Sequence, residues 1–306
     1  MKEIQFPGGE WPVMLTPFTE DKEVDYEALG KLVDWYIEKG VSGLFAVCQS
    51  SEMFYLSLEE RVEIAKYTVK MAKGRVPVIA SGHVSDAFED QVTEINEMAK
   101  SGVDAVILIT NRLAKEDESD AVWLENLKRL LEKIHKTIPL GFYECPYPYK
   151  RLISLDNIKS CVETNRFYFL KDTCCDIDQI NDKLEAIEGT KLKLYNANTT
   201  TLLASLRAGA AGHSGVMANF HPQLYAWLCD HYEEERAESL QDFLSIASLI
   251  ERQCYPINAK YHLKTIEGLP MTTISRVKDN TEMTKTFEEE VRMLNRLVAQ
   301  YSDVLQ

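Results

Sequence analysis

The chain has no apolar run of about 18 residues free of charge, which argues against a membrane-spanning helix. It has no CxxC pair, so zinc-ribbon or thioredoxin-like chemistry has little support. HxH and HExxH spacings are absent, which removes the simplest metal sites. No GxGxxG follows the first apolar run, so a dinucleotide-binding open sheet is disfavoured. Dense Lys/Arg clusters are missing too. With 34 Lys+Arg against 48 Asp+Glu, the net charge is −14, a poor match for nucleic acid or an anionic membrane. The opening MKEIQFPGGEWPVML contains no apolar stretch of the secretory kind. The seven cysteines are odd in number and irregular in spacing, as in a reduced chain, so a cytoplasmic location is expected. Cys174 and Cys175 are adjacent and read as ordinary thiols rather than a redox pair.

What is present is an alternation. Short apolar runs stand at 13–18, 43–48, 76–82, 105–110, 139–145, 167–172, 191–198 and 212–217. They are continuous rather than alternating, as parallel strands buried on both faces are. Between them lie amphipathic segments. One carries Leu29, Leu32, Val33 and Tyr36 on one face and stops at Gly40. Another opens with Ser57 and Glu60 at capping-box spacing and stops at Gly74. A third opens at Asp86. Repeated strand–helix units predict a (β/α)8 barrel, an α/β TIM barrel, over 1–235. Helical patterns at 236–253, 258–267 and 284–302 predict a C-terminal helical region over 236–306.

Catalytic groups of such barrels stand at the C-terminal ends of strands. Lys171 follows Phe167-Tyr168-Phe169-Leu170, a run that should be buried. Desolvation lowers a lysine pKa, and a neutral amine attacks carbonyls. The plain alternative is a lysine that snorkels or pairs with Asp172. Tyr143 ends the preceding run and by itself reads first as a core tyrosine with a satisfied hydroxyl; paired with Lys171 on the next strand, its phenol reads as a proton relay to the amine. Ser50 and Ser51 read equally as an ordinary serine turn or as a turn whose hydroxyls and backbone N–H groups hold a carboxylate. His83 has no visible partner and reads as structural.

These residues carry a resemblance. The chain holds Thr16-Pro17-Phe18, Gly40-Val41-Ser42-Gly43 leading to Glu52, Leu56-Ser57-Leu58-Glu59-Glu60-Arg61, Tyr143-Glu144-Cys145-Pro146, and Lys171-Asp172-Thr173. It resembles, over nearly its whole length, the dihydrodipicolinate synthase/N-acetylneuraminate lyase family of class I aldolases. The resemblance implies that Lys171 forms an imine with a pyruvate-type 2-oxo acid and that Tyr143 shuttles protons. It implies a carboxylate seated at Ser50–Ser51, no metal or organic cofactor, and a homo-oligomer, tetramer or dimer.

The departures bear on substrate. Gln49 stands where the family commonly has a hydroxyl residue, and a carboxamide cannot relay a proton as a hydroxyl does. Ser51 replaces a glycine. The strand-four loop, Asn111-Arg112-Leu113, lacks the synthase tyrosine. Pro148 occupies the place of the synthase arginine, with Arg151 three residues on. Thr199 and Thr200 follow Asn196-Ala197-Asn198, where sialate lyases carry acidic residues. The expectation is therefore a Schiff-base lyase of unassigned substrate, with Arg112, Asn196, Asn198 and Thr199 as contacts for its distal part and Gln49 as a further substrate-binding residue beside the tyrosine. The alternatives are 4-hydroxy-tetrahydrodipicolinate synthase and a catalytically silent keto-acid binder.

Overall fold

The structure, a computed structural model, describes residues 6–305. Its strands are β1 (Gly9–Glu10), β2 (Leu44–Val47), β3 (Val78–Ser81), β4 (Ala105–Ile109), β5 (Leu140–Tyr143), β6 (Phe167–Asp172), β7 (Lys193–Asn196) and β8 (Gly212–His213). All pairs are parallel, in the order β1-β8-β7-β6-β5-β4-β3-β2. The ring closes through the residues after β1: Val13 bridges Phe45, and Phe45 N donates to Pro12 O at 3.1 Å. This is a (β/α)8 barrel.

The first strand lies earlier than its apolar run. The ladder with β8 is at Gly9–Glu10, and Trp11 N donates to His213 O at 2.9 Å. Pro12 has no N–H to extend that ladder. The chain therefore passes from β8 to β2 across this proline, and most of the 13–18 run packs without strand pairing.

The eight barrel helices are α1 (Tyr26–Glu38), α2 (Leu58–Ala72), α3 (Phe88–Ala99), α4 (Asp120–Lys133), α5 (Leu155–Val162), α6 (Ile177–Ile187), α7 (Leu202–Arg207) and α8 (Pro222–His231). The capping box at α2 forms as its spacing predicts: Ser57 Oγ accepts from Glu60 N, and Glu60 Oε2 accepts from Ser57 N at 2.8 Å. The start of α3 differs. Ala87 is the cap residue, because the Asp86 carboxylate is drawn to the Arg112 guanidinium.

Inside the barrel, β-strand parity sorts the side chains. Phe169 stacks on Tyr195 at 4.1 Å between centroids and meets Trp11 edge-on at 5.1 Å, with Phe45 beside it. These rings fill the interior one layer below Lys171. The layer is tight: a Cβ on Gly43 would stand 2.4 Å from the Trp11 ring. The even residues Leu170 and Asp172 turn outward, toward the helices.

After α8 come α9 (Arg236–Ala247), a 3-10 turn at Ser248–Arg252, α10 (Ile257–Thr265) and α11 (Lys285–Leu305). The predicted 236–253 helix is thus an α-helix that tightens in its last turn. This region is tied to the barrel mouth by Glu52. Its backbone is left-handed (φ +64), and its carboxylate accepts from Lys260 Nζ at 2.7 Å, Ser275 Oγ at 3.0 Å and Arg276 N at 2.6 Å. No helix among the described residues is long and apolar enough to cross a membrane.

Candidate active site

Tyr143 and Lys171 are register partners on neighbouring strands. Both point inward, at the C-terminal end of the barrel. Lys171 Nζ lies 4.7 Å from the centre of the Tyr143 ring, and each residue is only 4% exposed. Their strand-end positions follow from the apolar runs below them, which are buried on both faces.

Lys171 has no carboxylate partner among the described residues. Asp172, the neighbour that would have quenched it, faces the other way. There Lys183 Nζ donates to Asp172 Oδ2 at 2.5 Å and to Glu144 Oε1 at 2.7 Å. Desolvation lowers the Lys171 pKa to about 8, opposed in part by Cys48, Cys145, Glu10 and Glu251. A useful fraction of neutral amine is therefore available near neutral pH. Burial pushes Tyr143 well above the ordinary phenol value, so it stays protonated and is a hydrogen-bond donor. Its hydroxyl donates to Gln49 Oε1 at 3.4 Å, a long bond. Burial raises Cys145 to about 11 and also raises Cys48, so both thiols beside the lysine stay neutral.

These groups line a cavity of about 390 Å³. Of the residues predicted for it, Lys171, Tyr143, Gln49, Ser50 and Asn198 line it. Ser50 meets the Tyr255 phenol, a contact from the C-terminal region that the sequence motifs do not announce. The others are spent elsewhere. The Ser51 hydroxyl closes its own turn, accepting from Cys48 N and donating to Cys48 O, both at 2.7 Å. Asn196 faces α7, donating to Thr201 Oγ1 at 2.9 Å and Ser205 Oγ at 3.0 Å. Thr199 Oγ1 pairs with the Tyr225 hydroxyl at 2.8 Å. Arg112 is bound to Asp86, and its guanidinium lies 5.5 Å over Phe54, one side chain back from the cavity. Arg151, the candidate replacement for the synthase arginine, donates to Lys115 O, Glu118 O and Asp120, away from the site.

His83 is buried and neutral. Burial lowers its pKa to about 4, and Nε2 accepts from Ile109 N at 2.9 Å. No group of three or more His, Cys, Asp or Glu side chains among the described residues is arranged to hold a metal ion.

The sequence missed Tyr255 and Glu251 because both lie far along the chain from the barrel motifs. It also missed Phe54, Tyr55, Tyr147 and Lys150. The dense aromatic spacing in Tyr147-Pro148-Tyr149 was the available signal for the last group.

Fold and cavity together define a (β/α)8-barrel enzyme of the class I aldolase/lyase type. Residues 7–295 match the sequence model of the Dihydrodipicolinate synthetase family. The chain belongs to that family. Its relatives include proteins named 4-hydroxy-tetrahydrodipicolinate synthase. The one from Clostridium perfringens is 27% identical over 82% of this chain and 86% of its own length. The one from Clostridium acetobutylicum is 28% identical over 86% and 89%. Among solved structures, a dihydrodipicolinate synthase from Bacillus anthracis superposes with a TM-score of 0.85 at 21% identity, covering 95% of this chain and 98% of its own. A prophage protein of the same family from E. coli K12, in complex with pyruvate, gives 0.85 at 19% identity over 95% and 98%. At these identities the structural likeness concerns the fold.

Proposed function

We propose that the protein is a Schiff-base lyase or aldolase acting on a pyruvate-type 2-oxo acid, with Lys171 as the nucleophile and Tyr143 as the proton shuttle. The observation that carries this reading is a buried lysine without a counter-ion, beside a protonated tyrosine, in a cavity at the barrel mouth.

The Lys171 amine adds to the keto carbon, and loss of water gives an iminium. In the cleavage direction the bond between the third and fourth carbons breaks. Its electron pair flows into the iminium to give an enamine, while the fourth-carbon hydroxyl loses its proton and becomes an aldehyde. The Tyr143 hydroxyl is the group placed to pass that proton. Protonation of the enamine and hydrolysis then release the acid and free Lys171. The iminium is the electron sink, and every atom of the sink comes from the chain and its substrate. Ser50 and the backbone N–H groups of its turn suit the 2-oxo acid's carboxylate.

The seven cysteines are all free thiols, which supports work in a reducing compartment such as the cytoplasm. A homo-oligomer is the assembly we expect from family membership.

The test is intact mass after borohydride reduction with pyruvate. An adduct of one pyruvate per chain is expected in the wild type and none in Lys171→Ala. An adduct of equal yield in the variant would sink the mechanism.

A further inference from the structure

The half of the substrate beyond the imine carbon is unassigned, and the wall of the cavity mouth limits what it is. The polar groups there are largely engaged by the protein itself. Lys150 Nζ donates to Thr173 O at 2.7 Å, and the Thr173 hydroxyl donates to Glu144 O at 2.7 Å. Asn198 Oδ1 accepts from Thr201 N at 3.1 Å. The Glu52 carboxylate is taken up by Lys260, Ser275 and Arg276 N. Left for a polyhydroxylated chain at this end are chiefly the Glu251 carboxylate, the Asn198 amide N–H groups and the tyrosine hydroxyls.

What the mouth does offer is aromatic surface. Tyr55 is 50% exposed and Tyr147 is 47% exposed, and both line the cavity. Phe54 meets Tyr147 edge-to-face, with centroids 5.0 Å apart. The Arg112 guanidinium backs Phe54 from behind. The cavity is thus graded, with buried Lys171, Tyr143 and Ser50 at the deep end and open rings at the outer end. Its 390 Å³ is far more than pyruvate fills. Glu251 also lines it, and its carboxylate has no hydrogen bond or ion pair among the described residues. An anion at that position works against a partner that brings a second carboxylate.

We propose that the distal half of the substrate is a planar aromatic or conjugated group held by Phe54, Tyr55 and Tyr147, so that the reaction joins or separates pyruvate and an aromatic aldehyde. Cleavage of such an aldol adduct is redox-neutral: one carbon–carbon bond breaks, and the hydroxyl proton ends on the pyruvate methyl group. The proposal rests on the Schiff-base reading for the deep end of the cavity, and its test separates the two.

The binding arm needs no imine. Calorimetric titration of the full-length Lys171→Ala variant with benzylidenepyruvate and with pyruvate should give an affinity at least about tenfold higher for the former. A ring contact of this kind supplies roughly three- to tenfold in affinity, so Tyr147→Ala should lose about that much. Tyr147→Phe, which keeps the ring, should retain it, and Phe54→Ala serves as an independent variant. In the turnover arm, wild-type enzyme is given the pyruvate–benzaldehyde aldol adduct, the pyruvate–glyceraldehyde adduct, or pyruvate with aspartate semialdehyde. Preference for the aryl adduct, with the aryl-to-polyol ratio of kcat/KM reduced by Tyr147→Ala and restored by Tyr147→Phe, supports the proposal. Preference for the polyol adduct or the semialdehyde overturns it, as does equal binding of benzylidenepyruvate and pyruvate. A wild type that traps no pyruvate fails the Schiff-base reading alone, and the aromatic mouth is then decided by the calorimetry.

Discussion

Lys171 and Lys183 are both buried, and they reach opposite ends of the same design. Lys183 lies between β5 and β6 on their outer face, within hydrogen-bond distance of both Glu144 and Asp172. Those two carboxylates and the attraction between unlike charges drive its pKa above the usual lysine value in spite of burial. Lys171 lies on the inner face of β6, with an aromatic ring instead of a carboxylate as its neighbour. Burial dominates there, and the pKa falls to about 8. A single step along the strand, from Lys171 to Asp172, separates the buried amine from the acid that would pair with it. Strand parity, rather than distance along the chain, keeps the proposed nucleophile free.

Breaking the Lys183 side should have the largest effect. Lys183→Met leaves two buried carboxylates without their cation and should cost about 3–5 kcal/mol in urea unfolding. Loss of less than about 1 kcal/mol would mean that the network is not what holds this face together. The opposite sign is expected for Lys171→Met. The folded pKa of Lys171 is depressed, so the unfolded chain holds more protons between about 8 and 10.5. Its burial penalty is complete below pH 8 and fades as pH rises through that window. Near pH 7 the methionine variant should therefore unfold later, by up to roughly 3 kcal/mol before packing changes. The same titration predicts kinetics: the rate of pyruvate adduct formation should climb as pH approaches about 8 and level above it. A rate flat from pH 6 to 9 would separate Lys171's environment from the chemistry. The smallest effect should come from the surface. Ser57→Ala removes one half of the α2 capping box and should cost about 1 kcal/mol without altering trapping.

Much of this arrangement is legible in the chain. The apolar runs locate β2 through β7 within a few residues, because strands buried on both faces leave no other pattern. Ser57 and Glu60 announce the α2 start because a capping box needs only local spacing. Lys171 and Tyr143 are readable because an ammonium or phenol at the end of such a run has few places to go. Ser51, Asn196, Thr199 and Arg112 show the limit. Each sits at the right strand end, but Ser51 turns back on its own Cys48, and the direction of the other three depends on partners brought in from α7, α8 or a neighbouring loop. Asn196 and Thr199 turn toward helices that a strand-end argument does not see. The contribution of Tyr255 is invisible to local patterns altogether, since it depends on where a distant segment is docked.

That docking gives the Glu52 clamp a kinetic meaning. Glu52 and Lys260 are separated by 208 positions in the chain, and Ser275 lies further still. Contacts of such span are slow to form, because the intervening chain must be ordered before its ends meet. Tyr255, which reaches Ser50, lies only five residues before Lys260 in the segment this clamp secures. The cavity wall is thus completed only after the barrel exists to receive its tail, which makes the appearance of a competent site a late event in refolding, behind the gain of barrel secondary structure.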